Sequence, residues 1–146
     1  MIMEEVHENI LESRIQTLVC PVNTSGVMGA GLAKSFKDKY PDLFKAYQRA
    51  CRENVFSRQG IFVYTHSDKR KILCLPTKRH WKFKSQLEWV INALEIIKNE
   101  YQSYDITSLA MPAIGCGLGG LDWDVVYPLI KKYLDPIDLP TTIYLP

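Results

Sequence analysis

Apolar and polar positions along this chain switch repeatedly between a two-residue and a three-to-four-residue period, dividing it into strand and helix candidates. Residues 15–22, Ile-Gln-Thr-Leu-Val-Cys-Pro-Val, form a short apolar run of the kind that makes a buried strand. A weaker strand candidate, residues 6–11, precedes it. After Gly29 the pattern becomes helical through Leu32, Ala33, Phe36 and Tyr40. Pro41 stops that helix and suits the start of another over residues 42–53, since a first helical turn has no use for the missing N–H. Residues 61–65 and 71–75 are short β runs around the polar turn His66-Ser67-Asp68-Lys69-Arg70 and predict a hairpin.

The clearest helix follows, with Leu87, Val90, Ile91, Leu94, Ile97 and Tyr101 on one apolar face. Ser85 is placed as its N-cap, with Glu88 three residues on completing a capping box. Residues 108–112 predict a strand, Asp122 caps a helix running to about Leu134, and residues 141–145 predict a closing strand. Strands alternating with helices imply a three-layer α/β sandwich.

Two glycine-rich stretches interrupt this pattern, each after a strand candidate and before a helical segment. The first is Asn23-Thr24-Ser25-Gly26-Val27-Met28-Gly29-Ala30-Gly31-Leu32-Ala33, and the second is Ala113-Ile114-Gly115-Cys116-Gly117-Leu118-Gly119-Gly120. Without a Cβ, glycine lets backbone N–H groups turn toward a ligand, and N–H groups at a helix start favour anions. Two such loops at the strand ends of one sheet would hold a diphosphate from both sides, which makes a nucleotide-like ligand the first expectation.

Composition narrows this only a little. A length of 146 residues predicts one domain, and the chain is 47% hydrophobic and 23% charged, as ordinary globular proteins are. The net charge of +2 is too small to predict nucleic-acid binding by itself. The cations do cluster, in Lys69-Arg70-Lys71 and in Lys78-Arg79-His80-Trp81-Lys82-Phe83-Lys84. The second cluster interleaves aromatics with positive charge, as single-strand nucleic-acid grooves do. Cys20, Cys51, Cys74 and Cys116 form no C-x-x-C pair and read as reduced thiols, giving neither a disulfide framework nor a metal site. No apolar stretch is long enough for a membrane span, and the glutamate-rich first thirteen residues lack a signal-peptide core, so a cytoplasmic location is expected.

Three segments in this order and spacing resemble the macrodomains. They are residues 21–33, the run Leu75-Pro76-Thr77-Lys78-Arg79-His80-Trp81, and residues 111–123. More narrowly, the sequence is similar to the branch holding the bacterial DNA ADP-ribosyl glycohydrolase antitoxins of the DarG type and the human terminal ADP-ribose glycohydrolase. The resemblance implies an α/β/α sandwich with a mixed central sheet over residues 1–146 and an ADP-ribose ligand, with no cofactor.

By that resemblance the turn formed by Gly29, Ala30, Gly31, Leu32 and Ala33, with Val27 and Met28 ahead of it, covers the diphosphate and distal ribose. Asn23 binds distal-ribose hydroxyls, to which an amide can both donate and accept. The loop of Ile114, Gly115, Cys116, Gly117, Leu118 and Gly119 supplies N–H groups from the other side. Asn9 stands where the family usually has an aspartate that accepts the adenine amino proton, and Ile10 follows it. Thr77 lines the site beside Lys78, which matches the branch's catalytic lysine. A neutral amine can attack the anomeric carbon C1″ or the opened aldehyde, and burial beside other cations favours the neutral form. The acidic residue that the human enzyme carries in its second loop is replaced by Gly119, so Lys78 would act with water, with His80 as proton carrier, or with the substrate's own groups.

Gly119 and the Lys-Arg-His-Trp run resemble the DNA-acting antitoxins more than the human enzyme. Arg79, Trp81 and Lys82 are therefore the residues expected to meet nucleic acid. The leading expectation is removal of ADP-ribose from thymidine in single-stranded DNA, with a cognate DNA ADP-ribosyltransferase toxin as a further partner. Two other readings stay open: hydrolysis of a free metabolite such as ADP-ribose 1″-phosphate or O-acetyl-ADP-ribose, and a reader that binds ADP-ribose without turnover. Alternatives stay open for single residues too. Lys78 could be only a phosphate-binding charge, His80 a plain loop residue, and Trp81 a ring packed under its loop, the commoner role for tryptophan. Cys116 has no base beside it and is read as a small residue against the ligand, not a nucleophile.

Overall fold

A computed structural model describes residues 1–146. Six strands form one mixed sheet in the order β1-β6-β5-β2-β4-β3. They are β1 (Ile2–Val6), β2 (Thr17–Asn23), β3 (Phe62–Thr65), β4 (Lys71–Lys78), β5 (Leu109–Pro112) and β6 (Thr141–Tyr144). Every neighbouring pair is parallel except the β3–β4 hairpin. The helices are α1 (Gly31–Lys39), α2 (Pro41–Arg52), α3 (Val55–Gln59), α4 (Leu87–Glu100) and α5 (Trp123–Leu134).

The period of two along the central strands sorts their side chains between two cores. Leu18, Cys20 and Val22 of β2 with Ile72 and Cys74 of β4 pack against Phe36, Leu43, Tyr47 and Phe56 of the first three helices. Val19 of β2 with Leu73 and Leu75 of β4 pack against Val90, Leu94 and Ile97 of α4 and Val126, Ile130 and Leu134 of α5. Central parallel strands are thus covered on both faces, which is why β2 and β4 read as nearly unbroken apolar runs.

Four local features depart from expectation. The first strand is Ile2–Val6, not residues 6–11; its two glutamates hid it, because an edge strand tolerates charge on its open face. Residues Ile10–Glu12 instead form a 3-10 turn capped by Asn9. Strand β4 runs on to Lys78, three residues past the expected end. The five-residue α3, set off by Asn54 and Gly60 in left-handed conformation, was too short to show a period. Ser85 does not cap α4. Gln86 takes that place without a side-chain cap, and the Ser85 hydroxyl turns inward. The Asp122 cap of α5 does form, accepting the Asp124 N–H. No helix is long and apolar enough to cross a membrane.

Candidate functional site

Both glycine loops leave the carboxyl ends of adjacent strands, β2 and β5, and Lys78 ends β4 on the other side of β2. From β2 the chain builds outward to β4 and β3 in one direction and to β5 and β6 in the other. Loops at such a switch point splay apart and leave a crevice. A cleft of about 1030 Å³ opens there.

Asn23 shapes the first loop. Its Oδ1 accepts hydrogen bonds from the Ser25 N–H (3.0 Å), the Ser25 hydroxyl (3.0 Å) and the buried Tyr47 hydroxyl of α2 (2.7 Å). Its Nδ2 donates to the Val27 carbonyl at 2.8 Å. The amide carbonyl is therefore fully engaged in folding the loop, which leaves one Nδ2 proton to offer a ligand. The loop then enters α1 at Gly31, whose φ of +58° lies in the left-handed region that favours glycine. No side chain caps this helix, and its first turn carries no acid. Residues Gly29, Ala30, Gly31, Leu32 and Ala33 all line the cleft, so the uncapped N–H groups are left for an anion.

The second loop faces it with Gly115, Cys116, Gly117, Leu118 and Gly119 on the lining. Leu118 is 76% exposed and lies so close over the first loop that a Cβ on Gly31 would sit 3.1 Å from its Cδ1. At Gly119 a Cβ would fall 2.3 Å from the Ser85 hydroxyl. That hydroxyl donates to Thr77 Oγ1 at 3.0 Å, and the Ser85 N–H donates to the Gly119 carbonyl at 2.9 Å. Thr77 and Ser85 are buried polar residues on the cleft floor, directly beside Lys78.

Lys78 lies opposite Asn23 in the β2–β4 register, and the Thr24 N–H binds the carbonyls of both Lys78 (3.2 Å) and Arg79 (3.1 Å). Its half-buried side chain lines the cleft and joins none of the three ion pairs in the molecule. Glu8 is the single acidic side chain on the lining. Asn9 also lines it, with Oδ1 already accepting the Leu11 N–H at 3.0 Å, and Ile10 packs beside it as core.

Several expected site residues lie elsewhere. The side chains of Met28 and Ile114 are buried in the cores behind the loops and do not reach the lining. His80 is also off the lining: its ring stacks on Trp81 (centroids 5.7 Å), packs near Phe83 (5.6 Å), and its Nδ1 accepts the Lys82 N–H at 3.2 Å. Arg79 turns away into a separate hollow. Trp81 is not packed under its loop; it is 50% exposed on the rim, with Lys82 Nζ 5.3 Å from its ring. Burial, helped by Asp122, raises the Cys116 thiol above its ordinary value, so it stays protonated. Sequence reasoning missed Phe83, Ser85 and Tyr144 on the lining. Only Phe83, within the aromatic–cation run, left a signal.

A mixed α/β/α sheet with two glycine cradles at its switch point defines a class of phosphate-ligand-binding domains. The chain belongs to the Macro domain family, whose model matches residues 19–130. It is 38% identical to the DNA ADP-ribosyl transferase-DNA ADP-ribosyl glycohydrolase fusion protein of Thermosipho africanus, over 97% of this chain and 41% of that protein. The structure of the Thermosipho africanus DarTG in complex with ADP-ribose superposes with a TM-score of 0.91 at 39% identity, covering 97% of this chain and 41% of that one. The macrodomain of Thermus aquaticus DarG superposes with a TM-score of 0.89 at 37% identity over 100% of both chains. The chain spans about two-fifths of the length of the bacterial curated relatives it matches.

Proposed function

We propose that this chain binds ADP-ribose in the cleft and hydrolyses its bond to thymidine in single-stranded DNA, with Lys78 as the reacting amine. One observation carries the reading. Lys78 stands outside every ion pair at the end of β4, beside the glycine cradles of β2 and β5 and beneath a rim of half-exposed aromatics and lysines. The α1 N–H groups and the second loop hold the diphosphate, and this places the distal ribose over β2 and β4. The lysine Nζ attacks C1″, the bond from C1″ to the base breaks, and the base leaves with a proton from the amine; the glycosylamine then opens to an imine as its N–H proton passes to the ring oxygen. Water then adds to C1″ and releases ADP-ribose, restoring the amine. With His80 off the lining and its Nδ1 engaged, water and the substrate's own groups carry the protons. Trp81, Phe83, Lys82 and Lys84 form the rim that meets the strand by stacking and charge. The names and ADP-ribose complex of the relatives support this chemistry, and the fusion in one of them supports a DNA ADP-ribosyltransferase as the partner.

The test is a substrate panel of ADP-ribosylated thymidine oligonucleotide, glutamyl-ADP-ribosyl protein and ADP-ribose 1″-phosphate. Wild type is expected to release ADP-ribose from the oligonucleotide. Lys78→Ala is expected to lose about 100-fold or more in rate while still binding ADP-ribose. Borohydride during single turnover should add an ADP-ribosyl mass to the peptide carrying Lys78. Wild-type rates from Lys78→Ala would remove the lysine mechanism, and binding without release from any substrate would leave a reader.

A further inference from the structure

A second hollow, of about 350 Å³, lies across the end of β4 from the cleft. Thr24 and Arg79 bound it at the strand ends, α3 forms its base, and Glu88, Trp89 and Asn92 of α4 form its far side. Thr77 and Lys78 line the cleft whereas Pro76 and Arg79 line this hollow, so the end of one strand is the wall between them. Consecutive residues Lys78 and Arg79, about 3.8 Å apart at Cα, thus serve opposite sides.

The hollow gathers polar groups that the protein does not itself pair. Arg79 and Glu88 face it together yet enter none of the three ion pairs, which are Lys34–Asp38, Lys39–Glu12 and Arg49–Glu53. Within the protein Arg79 is held through its backbone alone, its carbonyl accepting from the Thr24 N–H and hydroxyl. Glu88 and Asn92 are four residues apart and Trp89 and Asn92 three, so all three share one helix face. An indole, an amide and a carboxylate around one cavity fit a planar heterocycle with both donors and acceptors. They fit a bare phosphate poorly, because Glu88 would repel it.

We infer that this hollow is a nucleobase subsite, taking the base next to the modified thymidine while the ADP-ribosyl group occupies the cleft; this rests on the DNA reading above. Trp89 supplies the stacking face, and Asn92 and Glu88 meet the base edge. A carboxylate there accepts from an exocyclic amino group, so cytosine or adenine is preferred to thymine at the flanking position. Arg79, at the mouth, meets the connecting phosphate.

The experiment compares kcat/KM on three ADP-ribosylated thymidine substrates: the nucleoside, a trinucleotide with flanking cytosines, and the same trinucleotide with abasic flanks. Binding of both trinucleotides to the Lys78→Ala protein is measured in parallel. Wild type should favour cytosine flanks over abasic flanks by about tenfold, in rate and in binding. Trp89→Ala and Asn92→Ala should each shrink that preference while leaving nucleoside release unchanged. Equal rates and equal binding with and without flanking bases would overturn the subsite and leave the glycohydrolase reading intact. A preference undiminished in both variants would overturn it as well. If no substrate is released, the glycohydrolase reading fails, and the binding comparison alone decides the subsite.

Discussion

Ser85 and Gly119 make a lock that neither residue reveals alone. Gly119 must lack a side chain because the Ser85 hydroxyl already fills the space, held by its bond to Thr77, while the Ser85 backbone N–H donates to the Gly119 carbonyl. Gly119→Ala should therefore cost about 1–3 kcal/mol of stability, as overpacking of a buried site does, read as a lowered denaturation midpoint. Adding Ser85→Gly should recover most of that loss, because the displaced group is gone. A double variant as unstable as Gly119→Ala alone would show that the clash is not with Ser85. In the sequence Ser85 looked like a helix cap because Ser-x-x-Glu is a capping pattern. Its inward turn depends on Thr77, eight residues back on β4, and local pattern carries no such information.

At the scale of elements, the first glycine loop is shaped from outside itself. The Tyr47 hydroxyl on α2 reaches 2.7 Å to Asn23 Oδ1 and 2.8 Å to the Asn23 carbonyl. Tyr47→Phe removes the donor but keeps the ring, so a loss of about 1 kcal/mol in stability is expected. ADP-ribose affinity, measured by titration calorimetry, should fall with it because the loop must be ordered on binding. Unchanged affinity would mean that the Ser25 and Val27 contacts suffice. The cradle was legible beforehand because glycine spacing is a local signal. Its brace was not, since a helical tyrosine at core spacing reads as packing. The same contrast separates Asp122, whose cap follows from its immediate neighbours, from β1, whose pairing with β6 joins residues more than a hundred positions apart.

For the whole molecule, the acids sealed between the sheet and the first helices set the response to alkali. Burial raises the thiols of Cys20 and Cys74 and the phenol of Tyr47 above their ordinary values, and raises Cys51 to a lesser extent. Above the ordinary thiol value of about 8.5, the unfolded chain loses protons that the folded chain keeps. The folded state then binds more protons than the unfolded one, so stability falls as pH rises. These groups predict a stability flat from neutrality to about pH 8.5 and declining beyond it, measured by urea unfolding across pH. Cys20→Ala with Cys74→Ala should soften the decline, and an unchanged slope would assign it to other groups.

Periodicity, glycine spacing and helix-stop residues determined the order of most strands and helices and the two loops among them, because each of these is written within about ten neighbouring residues. Only the tertiary structure decided which groups face the cleft. His80 and Arg79 adjoin Lys78 in the chain yet turn elsewhere, while Ser85, Phe83 and Tyr144 converge on the cleft with Lys78. A side chain's direction at a strand end or in a turn is set by contacts with distant elements, and those contacts exist only once the sheet and both helical layers have closed around it.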